Sequence, residues 1–124
     1  MAITYSINVD QGIVHSTFSE IVGLSDIYRY FNELRSDTAF QPGYLALCDW
    51  RKMKNIEVDY RSMQDIIADS PWGARSFRAV VASSPAMFGM SRMYQSLTDE
   101  AHGTVHVFKD IHEAEAWLDS VRLH

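Results

Sequence analysis

A single cysteine, Cys48, stands in the whole chain. No internal disulfide can form, which accords with a reducing compartment. The thiol sits in the apolar run "YLALCDW", and no neighbouring feature would make it a reactive thiolate, so a buried, inert side chain is expected. Proline and glycine are sparse, at three and six residues. No linker, repeat or low-complexity stretch divides the chain, and residues 1–124 read as one domain. No apolar run approaches the roughly 18 residues that a membrane span needs. The opening "MAITYSINVD" lacks the basic-then-apolar layout of a secretion signal, so a cytoplasmic location is expected. Basic residues are outnumbered by acidic ones, 11 to 16, for a net charge of −5. No basic stripe or block is present, which argues against nucleic acid as a partner. Also missing are a phosphate-binding loop, a Gly-x-Gly-x-x-Gly turn and a Gly-x-Ser-x-Gly elbow. No cofactor and no catalytic residue is expected.

What is present is a regular alternation of elements. Hydrophobic residues make up 47 % of the 124, enough for a sizeable core. "ITYSINV" alternates strictly and predicts a half-buried strand. "DQG" turns it into a second, antiparallel strand, "IVHSTFSEI", with Val14, Ser16 and Phe18 on one side. Ser25 is expected to cap a helix whose inner face is Ile27, Tyr30, Phe31 and Leu34. "YLALCDW" reads as a strand covered on both faces, and "RKMKNIEV" as a loop. Asp59 then caps a short helix that buries Met63, Ile66 and Ile67. "RAVVAS" is another strand. Ser84 and Pro85 open the helix "PAMFGMSRMYQ" with a cap and an N1 proline. Its inner face is expected to be Ala86, Met87, Met90, Met93, Tyr94 and Leu97, with Gly89 allowing close approach. "TVHVF" is a final strand and "DIHEAEAWLDSV" a final helix. That helix has Asp110 and Glu113 spaced as a capping box and Ile111, Ala114, Leu118 and Val121 inward. Strands separated by helices imply parallel neighbours joined by right-handed crossovers.

The stretches "RAVVASSPAMFGMSRMYQ" and "VHVFKDIHEAEAWL", with the opening hairpin and "YLALCDW", resemble the bacterial SpoIIAA-like (STAS/SEC14-type) proteins over nearly the whole chain. The resemblance implies an α/β fold. Its core would be a mixed sheet of about five strands, an N-terminal antiparallel hairpin followed by parallel strands, with four helices. It also implies a regulatory binding module rather than an enzyme. The anti-sigma-factor antagonists among these proteins carry a phosphorylatable Asp-Ser pair after the central strand. Here Asp49 matches the acidic strand end, Asp59 holds the cap position, and no Asp-Ser pair is present. Ser62 is the nearest hydroxyl. The SEC14-like relation suggests an apolar ligand by fold analogy alone.

Ligands in such sheets favour the carboxyl ends of the parallel strands. Asp49, Trp50 and Arg51, Ser83 and Ser84, and Lys109 are therefore the ligand-binding candidates. The simpler account makes Ser84 and Asp110 caps and Arg51, Lys52 and Lys109 solvated loop charges, and it explains each residue singly without needing them to converge. Phe88 and Arg92, one turn apart and outward on the wheel, are interface candidates, as is Trp72 between Pro71 and Gly73. Both Trp50 and Trp72 could instead pack over the edge of the core. His102 and His106 share no face, and His112 with Glu115 lacks further ligands, so no metal site is expected. Asp65 and Asp69, one turn apart, read as a solvated pair.

Two functions from different classes follow. One is a non-catalytic module acting by protein–protein contact or self-association, with a homodimer as the first expectation. The other is a carrier of a small apolar or anionic, lipid-like ligand near the strand ends.

Overall fold

The computed structural model describes residues 2–122. Five strands form one sheet in the order β1-β2-β3-β4-β5: β1 (Ile3–Asn8), β2 (Ile13–Gly23), β3 (Leu45–Glu57), β4 (Phe77–Val81) and β5 (Thr104–Phe108). The first pair is antiparallel and every later pair parallel. Four helices accompany them: α1 (Leu24–Ser36), α2 (Tyr60–Asp69), α3 (Pro85–Leu97) and α4 (Ile111–Arg122). A short 3-10 turn, Glu100–His102, precedes β5.

Spatial order equals sequence order, so each parallel crossover steps the same way along the sheet. Right-handed crossovers then place α1, α2 and α3 on one face. The main core lies there, built on Val14, Phe18, Cys48, Trp50 and Val80. α4 follows the last strand and covers the opposite face, where Leu45, Leu47, Ala79 and Val81 meet Ala114 and Leu118. Strand alternation sorts the residues between faces. At Gly12 the hairpin turn takes φ +62°, a left-handed conformation that glycine adopts without cost.

The helix faces expected of α1 and α2 are the buried ones: Ile27, Tyr30, Phe31 and Leu34, then Met63, Ile66 and Ile67. Several local expectations need correction. Ser25 is not the cap of α1. β2 runs on to Gly23, which becomes the N-cap, and the Asp26 carboxylate accepts from the Gly23 N–H at 2.9 Å. "RKMKNIE" is not a loop but the second half of β3. It pairs with a bulged β2 from Ser19 to Gly23, and its Met53 and Ile56 reach the core while the charged residues face water. The bulges shift the alternation by a residue, and Glu20 takes φ +58° beside them.

On α3, Met87 and the hydroxyl residue Ser91 are the buried pair. Ser91 can be buried because its Oγ donates to the Phe88 carbonyl at 2.7 Å. Of the expected inner face, Met87, Met90, Met93, Tyr94 and Leu97 do pack against the main core, and the face widens to take in Ser91 and Phe88 while losing Ala86. Ala86 is exposed, Phe88 is half-buried against the main core, and space around Gly89 is open, so no close approach occurs there.

Candidate functional site: a buried arginine beside an aromatic cavity

The expected rim at the strand ends breaks into separate local pairs. The Asp49 carboxylate and Arg51 form a two-pronged ion pair, with Arg51 Nε and one terminal nitrogen at 2.9 and 2.8 Å. Partial burial works against the Asp49 charge, but the Arg51 guanidinium and backbone N–H outweigh it and lower the carboxyl's pKa. Ser84 Oγ accepts from the Met87 N–H at 3.2 Å and is occupied with capping α3. Ser83 is exposed. Lys109 lies over the Phe88 ring, 4.9 Å from its centre. Trp50 is on the other side of β3 from Asp49 and Arg51, 4 % exposed, stacked on Tyr94 with ring centres 6.4 Å apart. It is a core residue rather than a rim residue.

Two of the three interface candidates are likewise held by neighbours. Trp72 is 3 % exposed and packs edge-on against Phe40 at 5.0 Å. It offers no contact surface, because Phe40, distant in sequence, closes over it. Phe88 is half-buried beneath Lys109, and Arg92 alone is exposed.

The residues that do converge lie beneath α1, α2 and α3. Six aromatic side chains, Phe18, Tyr30, Phe31, Trp50, Trp72 and Tyr94, line a cavity there, completed by aliphatic groups such as Ile27, Met63 and Ile66. The cavity volume is about 40 Å³ on the measure by which one water needs roughly 10–15 Å³, so the open space is that of about three waters.

Arg78 stands beside this cavity. Alternation along β4 aims it at the same face as Val80 and Ala82, and it is 1 % exposed. One terminal nitrogen donates to Ser76 Oγ at 3.0 Å and to the His102 carbonyl at 2.8 Å. Its carbon centre lies 5.4 Å from the Trp72 ring and 5.8 Å from the Tyr94 ring, both cavity walls. Cation–π attraction offsets part of the cost of burying the charge. Among the described residues no carboxylate is paired with it.

Gly103 shapes this seat. At φ +98°, a Cβ there would fall 2.1 Å from Ser76 Oγ. Only glycine lets the chain before β5 close against Ser76 and present the His102 carbonyl to Arg78.

Among the described residues four buried side-chain atoms lack a hydrogen-bond partner: Ser16 Oγ, Tyr30 OH, Trp50 Nε1 and Arg78 Nε. All four belong to this face of the sheet. Leaving such a group unpaired costs about 1–3 kcal/mol each. Burial pushes the pKa of Tyr30, Tyr94 and Cys48 upward, and Ser16 and Arg78, which lie near, only partly counter this for Cys48. These acids are therefore neutral at pH 7 and do not balance Arg78.

Arg78 escaped the sequence reading because "RAVVAS" reads as an apolar strand with a polar start. The available signal was parity: Arg78 shares a face with Val80 and Ala82 in a strand covered on both sides. Among the described residues no group of His, Cys, Asp and Glu is placed to hold a metal ion, and no helix is long and apolar enough to cross a membrane.

No protein-family model matches the chain, and no curated protein matches it in sequence. Among solved structures it is similar to an uncharacterized protein of the DUF3478 family with a SpoIIAA-like fold, from Shewanella loihica PV-4. The two are 18 % identical and align over 94 % of this chain and 92 % of that one, with a TM-score of 0.62. At that identity the likeness establishes the fold, which is SpoIIAA-like.

Proposed function

We propose that this chain is a non-catalytic binding protein that takes a small, largely apolar molecule into the cavity between α1, α2, α3 and the sheet. The observation that carries the reading is an aromatic cavity whose own walls hold Trp50 Nε1 without a partner and Tyr30 OH with only the Ser16 hydroxyl near it. Folding rarely leaves such groups unpaired unless something else completes them. The neutral thiol of Cys48, another wall residue, supports a non-catalytic role, since the thiolate is the nucleophile. This reading puts the ligand beneath α1, α2 and α3 instead of at the strand ends.

Titration with toluene, followed through the labelled methyl group of Met63, tests this. Saturable shifts at Met63 that vanish in Ile66→Trp, which fills the cavity, are expected. Shifts that are absent, or unchanged in the filled variant, would overturn the reading.

A second reading, contact with another protein or a second copy, rests on Ile21, Leu24 and Tyr60. These are exposed apolar side chains gathered where β2 passes into α1 and β3 into α2. Light scattering of wild type against Ile21→Lys checks it: a concentrated sample that stays monomeric removes self-association.

A further inference from the structure

The unpaired atoms around the cavity share a chemical character. Arg78 Nε–H and Trp50 Nε1–H can only donate hydrogen bonds, and the Tyr30 and Ser16 hydroxyls can donate one each. Two of the four groups can only donate, the two hydroxyls can donate as well as accept, and the buried cation beside them has no carboxylate among the described residues, so the seat is complementary to an anion. We infer that the ligand of this cavity is a small monoanion, its acid group bound by Arg78 with help from Tyr30 and Trp50, and its apolar body held by the aromatic walls. The inference rests on the binding role proposed above and names the chemistry of the ligand.

The guanidinium geometry fits a carboxylate. Ser76 and His102 occupy one terminal nitrogen, and the unpaired Nε lies on the opposite edge. The edge that carries Nε is the one a carboxylate uses when it binds side-on with two parallel hydrogen bonds, and Tyr94, a cavity wall, is the side chain nearest to share it. Trp72 and Tyr94, both cavity walls, have ring centres 5.4 and 5.8 Å from the guanidinium carbon and hold the group beside the cavity. Charge count sets the valence. One cation is uncompensated, and Tyr30, Tyr94 and Cys48 stay neutral, so a single negative charge balances the site. The apolar walls exclude a ligand that is polar throughout, such as a sugar phosphate.

The experiment compares benzoate with benzamide, which has the same ring and nearly the same shape without the charge. Both are titrated into the wild-type protein at pH 7, with the Met63 methyl group as the reporter. Benzoate is expected to bind about tenfold more tightly or better, the ratio typical of a charged over a neutral hydrogen-bonded pair. Arg78→Met is expected to erase that preference while still binding toluene. Arg78→Lys is expected to restore part of it. If benzamide equals or exceeds benzoate while toluene binds, the inference is wrong and the cavity reading stands. If toluene, benzamide and benzoate all fail to bind, both fall together. The wild-type comparison decides the matter even if Arg78→Met does not fold.

Discussion

Replacing Gly103 by alanine puts a methyl group where the structure has no room, and replacing Gly89 puts the same group into open space. At Gly103 the new Cβ would lie 2.1 Å from Ser76 Oγ, 2.7 Å from the Ser76 carbonyl oxygen and 2.9 Å from the Gly73 carbonyl oxygen. Two of the three are backbone atoms, so no rotamer change relieves the clash. The residue also sits at φ +98°, where an L side chain is strained. Backbone strain costs about 1–3 kcal/mol and overpacking a similar amount, for a total of about 2–6 kcal/mol. At Gly89 nothing lies within 4 Å of the added Cβ, and the position is an exposed turn of α3. There alanine gains up to about 1 kcal/mol of helix propensity. Both substitutions restrict the unfolded chain alike, so their difference isolates the native state. Urea unfolding is the assay. With a slope of roughly 1.5 kcal/mol/M, the midpoint of Gly103→Ala falls by about 1.3 M or more, and that of Gly89→Ala rises by about half a molar. A Gly103→Ala midpoint within a few tenths of a molar of wild type would refute the account of this seat. It would also remove the reason for the fixed position of the His102 carbonyl beside Arg78.

Other consequences can be checked separately. The Asp49 pKa is lowered on folding, so its contribution is present above the ordinary carboxylate range near pH 4 and is lost as pH falls through the lowered value. Asp49→Asn should therefore be less stable than wild type at neutral pH and converge with it in acid, read by thermal melts across that range. The Cys48 thiol is buried with a raised pKa, so a thiol reagent at pH 8 should label it only at the rate of unfolding, and fast labelling of native protein would show otherwise. Phe88→Ala removes a half-buried ring under Lys109 and is expected to cost about 1–2 kcal/mol in urea, short of the 3–5 of a fully buried ring. Full retention of stability would restore the outward position first read for Phe88.

Periodicity and capping chemistry carried the local reading well where one element decides its own face. The inner stripes of α1 and α2 repeat at three and four residues, and Asp59 caps α2 by accepting from the Ser62 N–H at 2.8 Å. Ser84 and Pro85 open α3 as their types predict. The antiparallel hairpin followed by parallel strands likewise follows from the order of elements. Local pattern failed where a partner distant in sequence set the outcome. The second half of β3 is a strand because a bulged β2 pairs with it, and its own residues alternate too poorly to say so. Trp72 looks like an exposed loop residue until Phe40 and Arg78 close on it.

By itself, then, the sequence determined the kinds of element, their order and the handedness of their connections, since these depend on spacing, caps and chirality within short windows. Only the tertiary structure decided where the chemistry lies. Ser16 and Cys48 come to one row of the sheet through strand register, and Arg78 meets Trp72 and Tyr94 through helix packing. Whether a polar atom is left without a partner is a property of that whole neighbourhood. No residue type or spacing encodes it, which is why the strand-end rim drew attention first and the buried arginine did not.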